Sequence, residues 1–258
     1  MPIGQGIYYT LYQGGQKDKP PVVLIHGAGS NHLCWPAELR RLSGFNVLAV
    51  DLPGHGRSAG LGQHSIDAYA SQLVGFLAGL NINQAYLVGH SMGGAIALSI
   101  SLQFPTLPVA LGLIATAAYL NVSPKLLESL KSPGTYQDGL NWIRQHVFCP
   151  HTDATLIEYS MKQLRDLRPA TLYEDWLACS HFDLHGEIEQ VASPGWVAIG
   201  SEDRLIPLSS ANYLITSLRQ ARLQVIQSAG HMLIIEKPKE LAQGLHKLLI
   251  DLEGGHSI

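Results

Sequence analysis

Ala85-Tyr86-Leu87-Val88-Gly89-His90-Ser91-Met92-Gly93-Gly94-Ala95-Ile96-Ala97-Leu98 carries a strand, a sharp turn and the start of a helix in one stretch. Residues 85–88 are continuously apolar and of strand length, the pattern of a strand buried on both faces. Residues 94–104 are small and apolar, as in a buried helix. Between them sits Gly-x-Ser-x-Gly. A turn of this kind lifts the serine hydroxyl above the sheet edge, and it leaves no room for Cβ atoms two residues to either side. The helix N-terminus points unpaired N–H groups at the same place, which favours a developing negative charge. Ser91 is therefore the candidate nucleophile, and the Met92 N–H is a candidate oxyanion donor.

The same pattern occurs once more, at Gly56-Arg57-Ser58-Ala59-Gly60. With 26 glycines in 258 residues, chance alone supplies about 0.2 matches to it, so context must decide. Ser58 follows Pro53-Gly54-His55 and leads into Gly60-Leu61-Gly62, which is loop on both sides. It reads as loop structure.

Working outward, apolar runs of strand length recur at 22–25, 47–50, 109–114, 196–199 and 223–226, and a tyrosine-rich segment at 7–12 reads as a short strand of an N-terminal hairpin. Helical patterns lie between them. Ser65 suits an N-cap before Ile66, Tyr69, Ala70, Leu73 and Leu77, and Pro238 suits the first turn of a final helix whose face holds Leu241, Leu245, Leu248, Leu249 and Leu252. Strands alternating with helices give an α/β fold with a mostly parallel central sheet flanked by helices. Residues 119–187 break the alternation. No strand-like run occurs there; about four helical stretches do, two of them opened by Pro124 and Pro169, and eight of the 19 aromatic residues fall in it. The sheet pattern then resumes. The reading is a core of residues 1–118 and 188–258, with 119–187 as a helical cap inserted between two late strands.

Composition narrows the function classes. Charged residues are 14% and hydrophobic residues 46%, so the chain is neither a disordered acidic segment nor a coiled coil. Seventeen basic residues face 20 acidic ones, for a net charge of −3. No basic surplus exists to neutralise phosphates, and nucleic acid is not expected as a partner. Apolar runs are far shorter than the roughly 20 residues of a membrane helix, and Met1-Pro2-Ile3-Gly4 opens no secretory leader pattern. Cys34, Cys149 and Cys179 form neither a disulfide framework nor a zinc site, which points to a reducing, cytoplasmic setting.

A serine hydroxyl needs a base, and the base needs an orienting acid. With the serine on a strand-to-helix turn, acid and histidine follow it in that chain order. Of 12 histidines, His231 in Ser228-Ala229-Gly230-His231 comes directly after the 223–226 strand; His246 lies inside the final helix and His256 in the tail. The acid belongs after the preceding strand, where Gly200-Ser201-Glu202-Asp203 offers two carboxylates; Asp203 is preferred to Glu202. An acid after an earlier strand is excluded, since residues 107–125 contain no Asp or Glu. His26-Gly27-Ala28-Gly29 follows the 22–25 strand and supplies the second oxyanion donor, the Ala28 N–H, with His26 as a structural hydrogen-bonder.

On these residues the chain resembles the α/β-hydrolase superfamily, in its small, cap-bearing, carboxylesterase-like branch. The resemblance covers nearly the whole chain. His26-Gly27-Ala28-Gly29 with Trp35 is similar to the oxyanion loop, Asp51-Leu52-Pro53-Gly54-His55-Gly56-Arg57-Ser58 to a structural turn, and Gly89 to Gly94 to the elbow of carboxylesterases, monoglyceride lipases and metal-free haloperoxidases. The segment from Gly200 to Pro207, and Gly230-His231 with Glu236-Lys237-Pro238, resemble the acid and histidine loops. Dehalogenases and epoxide hydrolases of this fold carry aspartate where this chain has Ser91. Many carbon–carbon bond hydrolases carry asparagine where it has His90.

The resemblance implies hydrolysis of a small-molecule carboxylic ester of modest, apolar character through an acyl-enzyme, with no metal or organic cofactor. Carbon–carbon bond hydrolase, lactonase and perhydrolase chemistry stay open on the same residues, as does a ligand receptor built on a hydrolase fold. The oligomeric state is not legible.

Overall fold

The computed structural model describes residues 3–254. His256, and the outermost ends of the 1–118 and 188–258 ranges, lie outside the described residues. In chain order the elements are β1 (Ile3–Gly4), β2 (Ile7–Gln13), β3 (Val22–Ile25), α1 (Ala37–Arg40), β4 (Asn46–Val50), α2 (Ile66–Gly79), β5 (Ala85–His90), α3 (Met92–Gln103) and β6 (Pro108–Ile114). Four helices follow: α4 (Pro124–Lys131), α5 (Tyr136–Val147), α6 (Ala154–Asp166) and α7 (Pro169–Ser180). The chain then runs through β7 (Gly195–Gly200), α8 (Leu208–Ser217), β8 (Ala221–Ile226), α9 (Leu233–Glu236) and α10 (Pro238–Glu253).

The strands form one sheet in the order β1-β2-β4-β3-β5-β6-β7-β8. From β4 to β8 every pairing is parallel, and only the pairings of β2, with the two-residue β1 and with β4, are antiparallel. Every residue of β3, β5 and β7 is buried, which explains their unbroken apolar runs. One face is covered by α2, α3 and α8 over Leu73, Ile96 and Leu214. The other is covered by α1 and α10 over Leu39, Leu241 and Leu245. Ser65 caps α2 by accepting the Ala68 N–H, and Pro238 occupies the first turn of α10.

Parallel register brings the carboxyl ends of β3, β5, β6, β7 and β8 to one edge: Ile25 pairs with Gly89, His90 with Ile114, Ile114 with Ala198 and Gly200 with Ile226. Loops leaving that edge are where an open α/β sheet presents a site. Helices α4 to α7 sit between β6 and β7 in sequence. The stem of this insert is closed by a Tyr119–Asp183 bridge, with the Leu184 N–H donating to the Ala118 carbonyl. Its helices bury their own apolar cluster, including Leu126, Leu140, Ile143, Leu164 and Leu172. Pro124 and Pro169 stand in the first turns of α4 and α7, where a missing N–H costs nothing. Among the described residues no helix is long and apolar enough to cross a membrane.

Two details depart from the sequence reading. Helix α3 begins at Met92, directly after the turn, and not at residue 94; Gly93 and Gly94 form its first turn packed against the Ile25 carbonyl and the Thr116 side chain, with no room for a Cβ. Helix α8 has no capping side chain and a short apolar face of Ala211 and Leu214, a pattern too weak to stand out in the sequence.

Candidate active site

Ser91 stands between the end of β5 and the start of α3 with φ +54° and ψ −118°. A positive φ is strained for a residue with a Cβ; here neighbours on both sides impose it. A Cβ at Gly89 would lie 2.1 Å from the Gly93 carbonyl oxygen, and one at Gly93 would lie 2.1 Å from the Ile25 carbonyl oxygen. Only glycine lets the turn close this tightly against β3. The Ser91 N–H donates to the Ile114 carbonyl at 2.8 Å, which ties the turn to β6 as well.

His231 Nε2 lies 2.9 Å from Ser91 Oγ, and His231 Nδ1 lies 3.0 Å from Asp203 Oδ2. A carboxylate only accepts, so Nδ1 carries the hydrogen and Nε2 turns its lone pair to the Ser91 hydroxyl. The other oxygen of Asp203 accepts the Leu205 and Ile206 N–H groups, both at 2.9 Å. Burial alone would raise the Asp203 pKa. The His231 charge and hydrogen bond, with those two backbone donors, outweigh it and hold the carboxyl below its usual range. The structure thus brings Ser91, His231 and Asp203 into one hydrogen-bonded line, and it is Asp203, not Glu202, that meets the imidazole.

Ala28 borders the cavity at Ser91, and Met92 follows Ser91 directly in the chain. Met92 is the first residue of α3, so its N–H has no carbonyl partner within the helix. Among the described residues, no acceptor takes the Ala28 N–H. Ser58 is elsewhere: its hydroxyl donates to the Asp51 carbonyl and accepts the Tyr8 N–H, so its role is structural. His26 is also structural. Its Nε2 accepts the Leu52 N–H at 3.0 Å and its Nδ1 donates to the Gly27 carbonyl. Burial foremost, and then the nearby His55, lowers its pKa to about 4.

Two supports went unread in the sequence. His90 Nε2 donates to the His231 carbonyl at 2.9 Å, so the elbow itself holds the histidine loop; burial, then the neighbouring His231, lowers the His90 pKa to about 3. Glu236 accepts the Gly230 N–H at 2.6 Å, the Cys149 N–H at 2.8 Å and the Thr152 hydroxyl. It joins the histidine loop to the insert. The His90 bond and the Glu236 bonds to the insert cross long stretches of chain, which no local spacing reports, whereas the Glu236–Gly230 bond lies within the histidine loop itself.

An apolar cavity opens at Ser91, lined from the insert by Ile143, Phe148, Tyr159, Leu164 and Trp176. A smaller one, bounded by Asn121, Val122, Trp142 and Leu205, reaches Ser91 from the other side, and Trp176 borders both. Among the described residues no group of three or more His, Cys, Asp or Glu is placed to hold a metal ion.

A family model described as the alpha/beta hydrolase family matches residues 22–244. The monoacylglycerol lipase abhd6-B of Xenopus laevis is 25% identical, over 97% of this chain and 84% of its own. A solved thermophilic esterase is 29% identical with a TM-score of 0.81, covering 96% of this chain and 95% of its own. The enol-lactonase of Burkholderia xenovorans LB400 superposes with a TM-score of 0.87, covering 96% of this chain and 98% of its own, at 20% identity, a likeness of fold alone.

Proposed function

The chain belongs to the alpha/beta hydrolase family, and from that premise we propose that it is a serine hydrolase of small to medium, apolar carboxylic esters, acting through an acyl-enzyme. The observation that carries this reading is the unbroken line from Ser91 Oγ through His231 to Asp203, at 2.9 and 3.0 Å. Ser91 Oγ attacks the ester carbonyl carbon while His231 Nε2 takes the hydroxyl proton. The charge that develops on the carbonyl oxygen is met by the Ala28 and Met92 N–H groups, fixed in place before the reaction. Asp203 holds the imidazolium. His231 gives its proton to the departing alkoxide, the alcohol leaves, and a water deprotonated by His231 attacks the acyl-Ser91 carbonyl. Collapse of that second adduct frees the acid and restores the serine.

Residues 119–187 act in this reading as a cap that selects the acyl group, since its aromatic and aliphatic side chains line the larger cavity. The substrate is a small molecule, with neither nucleic acid nor membrane as partner. Three buried free cysteines suit a cytoplasmic enzyme. The test is kcat/KM across p-nitrophenyl esters from acetate to decanoate, beside lactones, β-diketones and peracid formation. Multiple turnover of esters above the other classes supports the reading. Binding without turnover would make the chain a receptor, and preferred cleavage of another class would replace ester hydrolysis.

A further inference from the structure

Asp175 lies in α7, a helix of the insert, and is fully buried. One oxygen, Oδ2, accepts the Gly29 N–H at 2.7 Å and the His55 Nε2–H at 2.8 Å; the other accepts the Tyr69 hydroxyl. These partners come from the loop after β3, the turn after β4, and α2. A buried carboxylate is costly unless paired and hydrogen-bonded, and this one is met on both oxygens. His55 answers it with charge. Its Nδ1 faces the Pro53 carbonyl at 3.0 Å and its Nε2 faces Asp175, so both ring nitrogens meet acceptors. A neutral imidazole has one N–H, so His55 is an imidazolium. Burial alone would lower its pKa, but the Asp175 charge and hydrogen bond raise it above the usual histidine value.

Gly29 directly follows Ala28. Its φ is +70°, and a Cβ there would lie 2.3 Å from Leu164 Cδ1 and 2.7 Å from Leu172 Cδ1, both on insert helices. The insert therefore presses on this peptide through two leucines while Asp175 holds its N–H. Fixing that N–H fixes the plane of the Ala28–Gly29 peptide. The Gly27–Ala28 plane, which carries the Ala28 N–H, is held through the Gly27 carbonyl by His26 Nδ1 at 2.9 Å and the Ser30 N–H at 3.3 Å, so with both flanking planes held the φ and ψ of Ala28, and the direction of its N–H, are set. An oxyanion donor acts only when aimed to within roughly 10–20°.

We infer that Asp175 is a positioning residue: by holding the Gly29 N–H it sets the loop that presents the Ala28 N–H, so the oxyanion site is complete only with α7 seated on the core. The inference rests on the ester-hydrolase reading above.

The test uses the full chain, with D175A, D175N and the double variant D175L/H55L. Asn keeps an acceptor oxygen for Gly29 and His55. The double variant removes both partners of the buried pair, and so avoids the unpaired buried charge that D175A alone leaves. Wild type is measured first. If it neither turns over esters nor reacts with a fluorophosphonate, the hydrolase reading and this inference both fall. With an active wild type, D175A or, where that does not fold, D175L/H55L should lose roughly 100-fold in kcat with KM changed less than about threefold. Affinity for a trifluoromethyl ketone, which forms the tetrahedral adduct, should fall in parallel, and D175N should recover most of both. A folded D175L/H55L that keeps kcat within about threefold of wild type, or loses kcat while binding the ketone as tightly, overturns the role of Asp175 and leaves the hydrolase reading standing.

Discussion

The Glu236 carboxylate accepts the Gly230 N–H at 2.6 Å, one residue before His231, and with its other oxygen accepts the Cys149 N–H and Thr152 hydroxyl of the insert. Removing it leaves three donors without their acceptor. At about 1–3 kcal/mol for each buried donor left unpaired, three partly buried donors put the loss in E236A at about 3 kcal/mol, or about 6–12 °C in Tm. Because Gly230 anchors His231, kcat should fall by roughly 10-fold as well. E236Q, which keeps one acceptor oxygen, should lose less of both. Thermal melts and ester kinetics on the two variants check this; E236A with unchanged kcat would show that the histidine loop holds itself.

Asp203 and Glu202 are adjacent in sequence, but only Asp203 touches the imidazole. D203N should lower kcat by roughly 10⁴-fold, since an amide facing Nδ1 favours the wrong tautomer. E202Q should change it less than about threefold. Steady-state kinetics decide; equal losses would mean that the two carboxylates share the role.

Acid should unfold this protein through two histidines that are buried neutral. The folded pKa is about 4 for His26 and about 3 for His90, against about 6.5 in the unfolded chain. Between these values the unfolded state binds more protons at these two sites, so their contribution to stability is full above pH 6.5 and declines as pH falls toward 4 and 3, offset in part by His55, whose raised folded pKa adds stability as pH falls. His26 alone accounts for about 3 kcal/mol over that range. Asp203, whose folded pKa is depressed, adds a loss at the acid end. Tm measured from pH 8 to pH 4 should fall steadily below 6.5. The H90Q variant, whose amide nitrogen reaches the position of the imidazole Nε2 and keeps an N–H for the His231 carbonyl, should fall less steeply. A flat Tm down to pH 4.5 would contradict the neutral assignment.

Trp176 borders both cavities that meet at Ser91, and Phe148 and Tyr159 line the larger one. Tyr119 instead packs at a tilt against His185, and Phe182 sits in the sheet core. W176A should therefore shift preference along the ester series by about 10-fold or more toward longer acyl groups, each methylene being worth about 1–3 kcal/mol in an apolar pocket. Y119A should keep the wild-type profile. The kcat/KM series from acetate to decanoate measures it, and a W176A profile identical to wild type would remove the insert as the selecting element.

The sheet was legible because burial on both faces writes itself as continuous apolar runs: every residue of β3, β5 and β7 is buried. Ser91 could be told from Ser58 because its turn is flanked by a strand and a helix within a few residues, and Asp203 and His231 could be placed because each follows a strand. Those are local signals. Asp175, 146 residues from Gly29, and Glu236, 87 residues from Cys149, carry none. Their partners are backbone N–H groups, which every residue except proline has, together with the side chains of His55, Tyr69 and Thr152, all 84 or more residues away, so no local pattern of residue types marks them. His90 was visible in the elbow, but its bond to the His231 carbonyl depends on how two distant loops meet.

The central claim is that Ser91 carries the acyl group, and covalent labelling tests it most directly. Wild-type protein treated with a fluorophosphonate, digested and mapped by mass spectrometry should carry one adduct, on Ser91, with activity lost in proportion to labelling. S91A should neither label nor hydrolyse esters while melting as wild type does, and S58A should do both at close to the wild-type rate. An adduct on Ser58, or an S91A variant that still turns over esters, would contradict the account.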